Sequence, residues 1–151
     1  MKKELSKLRA FGSLRKQAEL AVNRLQEQAS EMMQEDGRIK QRMAILLQQE
    51  RDFELGYSES LRRGAMGSEL TLYAGAREDM QKQQRSLQEA QKLLEGKRRA
   101  LLKQQMEAQQ KLDSVERNIT AQQQLIERIR ENRSEEEMQD MFSSRQIFIK
   151  R

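Results

Sequence analysis

Apolar residues recur every seven positions along two long stretches of this chain. Phe11, Ala18, Leu25, Met32, Ile39, Leu46 and Phe53 keep that spacing in the first; Tyr73, Met80, Leu87, Leu94, Leu101, Ala108 and Val115 keep it in the second. A seven-residue apolar repeat sustained well beyond about four heptads is the pattern of a helix that packs along a narrow seam, so both stretches predict long coiled-coil helices. Companion apolar residues flank each series: Leu14, Ala21, Val22, Ala29 and Met43 in the first, Ala76, Ala90, Leu102 and Leu112 in the second. Other flanking positions are polar (Gln28, Glu35, Arg42, Gln49, Gln104, Lys111), so long Lys, Arg and Gln stems are expected to cover the seam's edges.

Between the two series, residues 56–68 hold three of the chain's seven glycines, and the chain has no proline. Glycine is then the strongest helix-ending signal left. The first helix is expected over about 4–55, the turn over about 56–68 and the second helix from about 69, with Ser68 as N-cap and Glu69 in the first turn. A connection this short folds the helices antiparallel, and facing residues must then have numbers of constant sum. Phe53 with Tyr73, Leu46 with Met80, Ile39 with Leu87, Met32 with Leu94, Leu25 with Leu101, Ala18 with Ala108 and Phe11 with Val115 all total 126. Aromatic meets aromatic near the turn and alanine meets alanine at one narrow layer, as matched packing requires. The strict seven-residue period implies a left-handed supercoil. Leu25, Ile39, Leu94 and Leu101 are expected to be the most buried side chains. The sequence thus predicts an all-α protein: an elongated antiparallel two-helix coiled-coil hairpin, a single domain, with a longer C-terminal helix.

That second helix is expected over about 69–133, or on to 143, with a C-terminal tail at 144–151. Its seam continues through Ile119, Ile126 and Ile129, with little or nothing of the first helix opposite. Ser134-Glu135-Glu136-Glu137 reads as a capping box, hence a kink or a second helix start. Phe142, Ile147, Phe148 and Ile149 form an apolar ending, either a segment for a partner's groove or a frayed terminus. Gly12, Gly37, Gly75 and Gly96 interrupt helical runs at up to about 1 kcal/mol each relative to alanine, which predicts a hairpin that bends or breathes.

Composition narrows the function. With 36% hydrophobic, 35% charged and 4% aromatic residues, the chain is too poor in apolar side chains for a compact core, while its period is too regular for wholesale disorder. It has no Cys and no His, which removes disulfides, thiolate chemistry, the commonest general base and most zinc sites, and fits a reducing compartment. Ser13-Leu14-Arg15-Lys16 matches a Ser-x-x-Lys string only on a coiled-coil face, and Gly64-Ala65-Met66-Gly67-Ser68 lacks the lysine of a phosphate-binding loop. Glu135–Glu137 reads as a solvated helix start rather than a metal site. A two-helix coiled coil also offers no concave pocket to exclude water. No catalytic, cofactor-binding or metal-binding residue is assigned, and no cofactor is expected. No run approaches the roughly 18 apolar residues of a membrane span, and Met1–Lys7 has no apolar segment behind it like that of a signal peptide, so a cytoplasmic protein is expected.

Charge placement is more telling than the net +5. Residues 1–16 carry six cations (Lys2, Lys3, Lys7, Arg9, Arg15, Lys16) against Glu4, whereas the remaining residues balance. Alternating signs elsewhere, without interleaved aromatics, argue against a nucleic-acid surface. An acidic protein surface is the better partner for the basic end.

The layout resembles the FliJ/YscO stalk proteins of flagellar and virulence type III secretion systems. Glu131-Asn132-Arg133 followed by Asp140-Met141-Phe142 is similar to that family's basic-acidic ending, with an acid two residues before a Phe. Leu46, Phe53, Tyr73 and Met80 match apolar or aromatic family positions linked to the export gate, whereas Gln49 and Ala76 stand where aromatics are expected. The resemblance implies a non-enzymatic stalk or adaptor, monomeric when alone, that inserts into the hexameric secretion ATPase and links it to the export gate, a membrane protein. It would work at the cytoplasmic face of the secretion apparatus without entering the membrane. Lys2, Lys3, Lys7, Arg9, Arg128, Arg130 and Arg133 would then meet the ATPase, and Leu46, Phe53, Tyr73 and Met80 the gate. Secretion chaperones would be further partners. Two alternatives remain: a helical-hairpin secretion chaperone, and a structural coiled coil that dimerises through its seam.

Overall fold

The computed structural model describes residues 1–64 and 66–149, with side chains through Gln146. Two helices, α1 (Lys2–Arg62) and α2 (Gly67–Ile149), run antiparallel in contact, and α2 is the longer. No helix is long and apolar enough to cross a membrane. Within the hairpin, contacts cluster into two units, Met1–Arg24 with Gln105–Arg151, and Leu25–Gln104.

The unit of residues 25–104 contains the turn. The expected connection over 56–68 is too long, because α1 continues to Arg62 and α2 resumes at Gly67. Gly56 does not end the helix. It lies against Tyr73: a Cβ built there would meet the Tyr73 hydroxyl at 3.7 Å, an ordinary contact. That hydroxyl lies 2.9 Å from Ser60 Oγ and 3.4 Å from the Gly56 carbonyl oxygen, tying the last turns of α1 to α2. The glycine that does end α1 is Gly64, whose φ of 74° is left-handed and whose N–H returns to the Leu61 carbonyl at 3.2 Å. Ser68 is not the N-cap. Met66 takes that place, its carbonyl accepting from the N–H groups of Glu69 and Leu70. Ala65 lies outside the described residues.

Ile39, Leu46, Leu94 and Leu101 form the buried seam of this unit, each 8% exposed or less. Leu25, expected among the deepest, is only half-buried. Between successive residues of the seven-residue series, the half-buried position on α1 lies four residues on, at Ala29, Asp36, Met43, Glu50 and Tyr57; on α2 it lies three residues on at Ala76 and Ala90 and four on at Gln84, Gln91 and Gln105. Leu14, Ala21 and Leu102 are exposed and so are not companions of the seam.

In the unit carrying both termini, α1 begins at Lys2 rather than near Glu4, with the Met1 carbonyl accepting from Leu5 N–H at 3.1 Å. The first turns of α1 cover part of α2 that the sequence left uncovered. Ile119 and Ile126 are 7% and 5% exposed, and Gln122 between them is 9% exposed. Gln122 Nε2 donates to the Glu4 carbonyl oxygen at 3.1 Å. That pair also totals 126, so the register holds here as it does at Phe53 and Tyr73. Burial ends after Ile129: every described residue of 130–146 is exposed. The helix crosses 134–137 without a break, so no kink or second start occurs there. Phe142 is 63% exposed, while the side chains of Ile147, Phe148 and Ile149 lie outside the described residues.

Candidate functional site

The residues expected to meet an ATPase all fall in the unit carrying the termini. Lys2, Lys3, Lys7 and Arg9 occupy the first turns of α1, and each is exposed. Because Gln122 is held against Glu4, α2 passes the start of α1 just before Arg128, which stands beside that start. Arg130 and Arg133 follow on the uncovered stretch, also exposed. None of the seven forms an ion pair with another described residue. Glu4, the lone acid of residues 1–16, is paired with the Met1 ammonium and feels Lys7 only as a lesser electrostatic influence. Its Oε2 lies 2.9 Å from the Met1 ammonium, and that hydrogen bond, with a backbone one, holds its carboxyl below the usual carboxylate range. The cations of the first turns are thus left with unspent positive charge in solvent, where an acidic surface would be attracted over about 10 Å at 0.1 M salt.

The four residues expected to meet the gate divide. Leu46 is 5% exposed and Met80 is half-buried, so both hold the seam and offer a partner little surface. Phe53 and Tyr73 are half-buried in a cluster that the sequence reading missed a member of. The Phe53 and Tyr73 rings meet edge to face at 5.2 Å, and Tyr57 meets Tyr73 the same way at 5.4 Å. Tyr57 stands four residues after Phe53, and that spacing was the signal available for it. The cluster floors an open cleft of about 530 Å³ bordered by Leu70, Ala74 and Arg77. On its other flank a second cleft, about 790 Å³, is lined by Ser60, Met66, Leu72 and Tyr73. Met66 and Leu72 are 77% and 75% exposed, and Leu55 and Leu61 are exposed as well. The apolar surface near the turn is therefore made by these three leucines and Met66 with the aromatic cluster, not by Leu46 and Met80.

No protein-family model, curated protein or solved structure matches this chain.

Proposed function

We propose that this chain is a non-enzymatic stalk or adaptor of a type III protein secretion system. In this reading it is a FliJ/YscO-like protein whose basic terminal part docks into the hexameric secretion ATPase. The turn-bearing part meets the export gate, and secretion chaperones are further partners. The observation that carries the reading is the set of unpaired cations on the exposed first turns of α1 and the adjoining stretch of α2, on a hairpin whose second helix outruns the first. Such a charged end engages a ring by long-range attraction rather than by one fixed contact, which suits a shaft against a multi-subunit pore. The intramolecular burial of Ile39, Leu46, Leu94 and Leu101 speaks against a structural dimer built on the same seam.

The test is a binding and ATPase assay with a hexameric secretion ATPase from the same organism. Lys3→Glu, Lys7→Glu and Arg133→Glu together should abolish stimulation and weaken binding, with helicity unchanged. Leu61→Ser and Leu72→Ser should leave ring binding intact and weaken gate binding. Full stimulation by the charge-reversed protein would remove the stalk reading and leave the helical-hairpin chaperone as the better one.

A further inference from the structure

The stretch of α2 beyond Ile129 carries a second stripe that the hairpin does not use. The seam positions of α2 run Val115, Ile119, Gln122, Ile126 and Ile129, and their continuation falls on Arg133, Glu136, Asp140 and Ser143, all polar and exposed. On the other side of the helix stand Glu131, Glu135, Met138 and Phe142, spaced four, three and four residues apart. Met138 is 69% and Phe142 63% exposed. Residues 134–142 hold four carboxylates and no cation.

A stripe of the same spacing and complementary content exists elsewhere in the same unit. Lys3, Lys7, Ala10 and Leu14 lie along α1 beside its seam, again four, three and four residues apart, and all are exposed. Laid parallel with a constant offset of 128, the two stripes pair Glu131 with Lys3, Glu135 with Lys7, Met138 with Ala10 and Phe142 with Leu14. Acid meets lysine twice, then apolar meets apolar twice. The pairing cannot form within one chain, because α2 is one continuous helix and residues 130–146 run on past the start of α1.

We infer that a second copy of this chain is the partner of this stripe. Two hairpins meet at their terminal ends, and the overhanging α2 of each lies parallel to the first turns of the other's α1. The contact is isologous, since each copy gives one acidic and one basic stripe, and it closes after two copies. Each of the two strips runs about 17 Å at 1.5 Å per residue. This inference is independent of the ATPase reading and departs from the monomer expected of a free stalk. The dimer would cover the cations that the ring-binding reading needs exposed, so a chain in this form would be self-capped.

Sedimentation equilibrium of the full chain tests it, with circular dichroism to confirm helicity. The wild type should dimerise, with a dissociation constant that rises roughly tenfold between about 0.05 and 0.5 M salt. Glu131→Lys with Glu135→Lys should be monomeric, and so should Lys3→Glu with Lys7→Glu. Mixing those two helical monomers should restore a dimer containing one of each, because both strips are then complementary again. Met138→Ser with Phe142→Ser should weaken the wild-type dimer at every salt concentration. A wild type monomeric at all concentrations overturns the inference, as does a dimer indifferent to the charge reversals or a mixture that stays monomeric. No ATPase is present, so this result and the ring-binding result can fail separately.

Discussion

Replacing Gln84 with leucine should make the hairpin more stable, although it changes a polar residue in a charge-rich chain. Gln84 is half-buried, four residues beyond Met80, and shares a small cleft with Met43, Leu46 and Leu47. Met43, which lines that cleft with it, is itself half-buried. No hydrogen bond to Gln84 is present among the described residues, so none is lost. Helix propensity is nearly equal for the two residues. Full burial of a leucine side chain is worth about 1.5–3 kcal/mol, and half-burial therefore about 1 kcal/mol. For a chain of this length that raises Tm by roughly 2–4 °C. Thermal and urea melts followed by circular dichroism would measure it, with Gln83→Leu as the control because Gln83 is exposed. If Gln84→Leu gained no more than Gln83→Leu, the assignment of the seam to positions four residues beyond the series would be wrong.

Other substitutions test the remaining parts of the fold. Leu94→Ala and Leu101→Ala, at 4% and 5% exposure, should each cost about 2–4 kcal/mol in the same melts, and Leu25→Ala distinctly less. Gly37→Ala should stabilise by about 0.5–1 kcal/mol, since Gly37 is mid-helix and a Cβ there meets nothing within 4 Å. Tyr73→Phe removes the hydroxyl held by Ser60 and should cost about 0.5–1.5 kcal/mol, with faster amide exchange confined to the end of α1 after Gly56.

The seven-residue series was enough to read the helices, their antiparallel sense and their register, because facing numbers in a hairpin have one sum wherever they are measured. Phe53 with Tyr73 and Glu4 with Gln122 both keep it. What stayed hidden depended on single atoms rather than on period. Gly56 looks like a helix stop in sequence and instead stays helical, its carbonyl oxygen accepting from the Tyr73 hydroxyl, whereas Gly64 ends the helix by taking a positive φ. Of the expected companions, Val22, Ala29, Met43, Ala76, Ala90 and Leu112 are half-buried, but the layer was read incompletely because Asp36, Glu50, Gln84 and Gln91 also occupy it, and a search for apolar companions passes over them. The candidate contact residues were legible as charge but not as exposure. The lysines of α1 are exposed as expected, while Leu46 proved to be core.

A seam of this kind must also resist sliding by one heptad, and several of its layers cannot prevent that. Met32, Ile39 and Leu46 would meet leucines in the shifted register nearly as well as their native partners, since volume-conserving exchanges cost little. Discrimination has to come from the layers that are unlike their neighbours. A shift that moves α2 by seven would set Phe53 against Met80 and separate the Phe53–Tyr73 edge-to-face pair. It would set Ala18 against Val115 instead of Ala108, and Gln122 against Phe11. Gln122 would then lose the Glu4 carbonyl and sit buried beside a ring with its amide unpaired, at a cost of about 1–3 kcal/mol. A leucine at 122 would pack well in either register, so the buried glutamine contributes specificity where an apolar residue would contribute only stability. It acts where specificity matters most for the proposed contacts. A slipped α2 would carry Arg128 about 10 Å from its place near the start of α1, and the uncovered stretch with it, at 1.5 Å per residue.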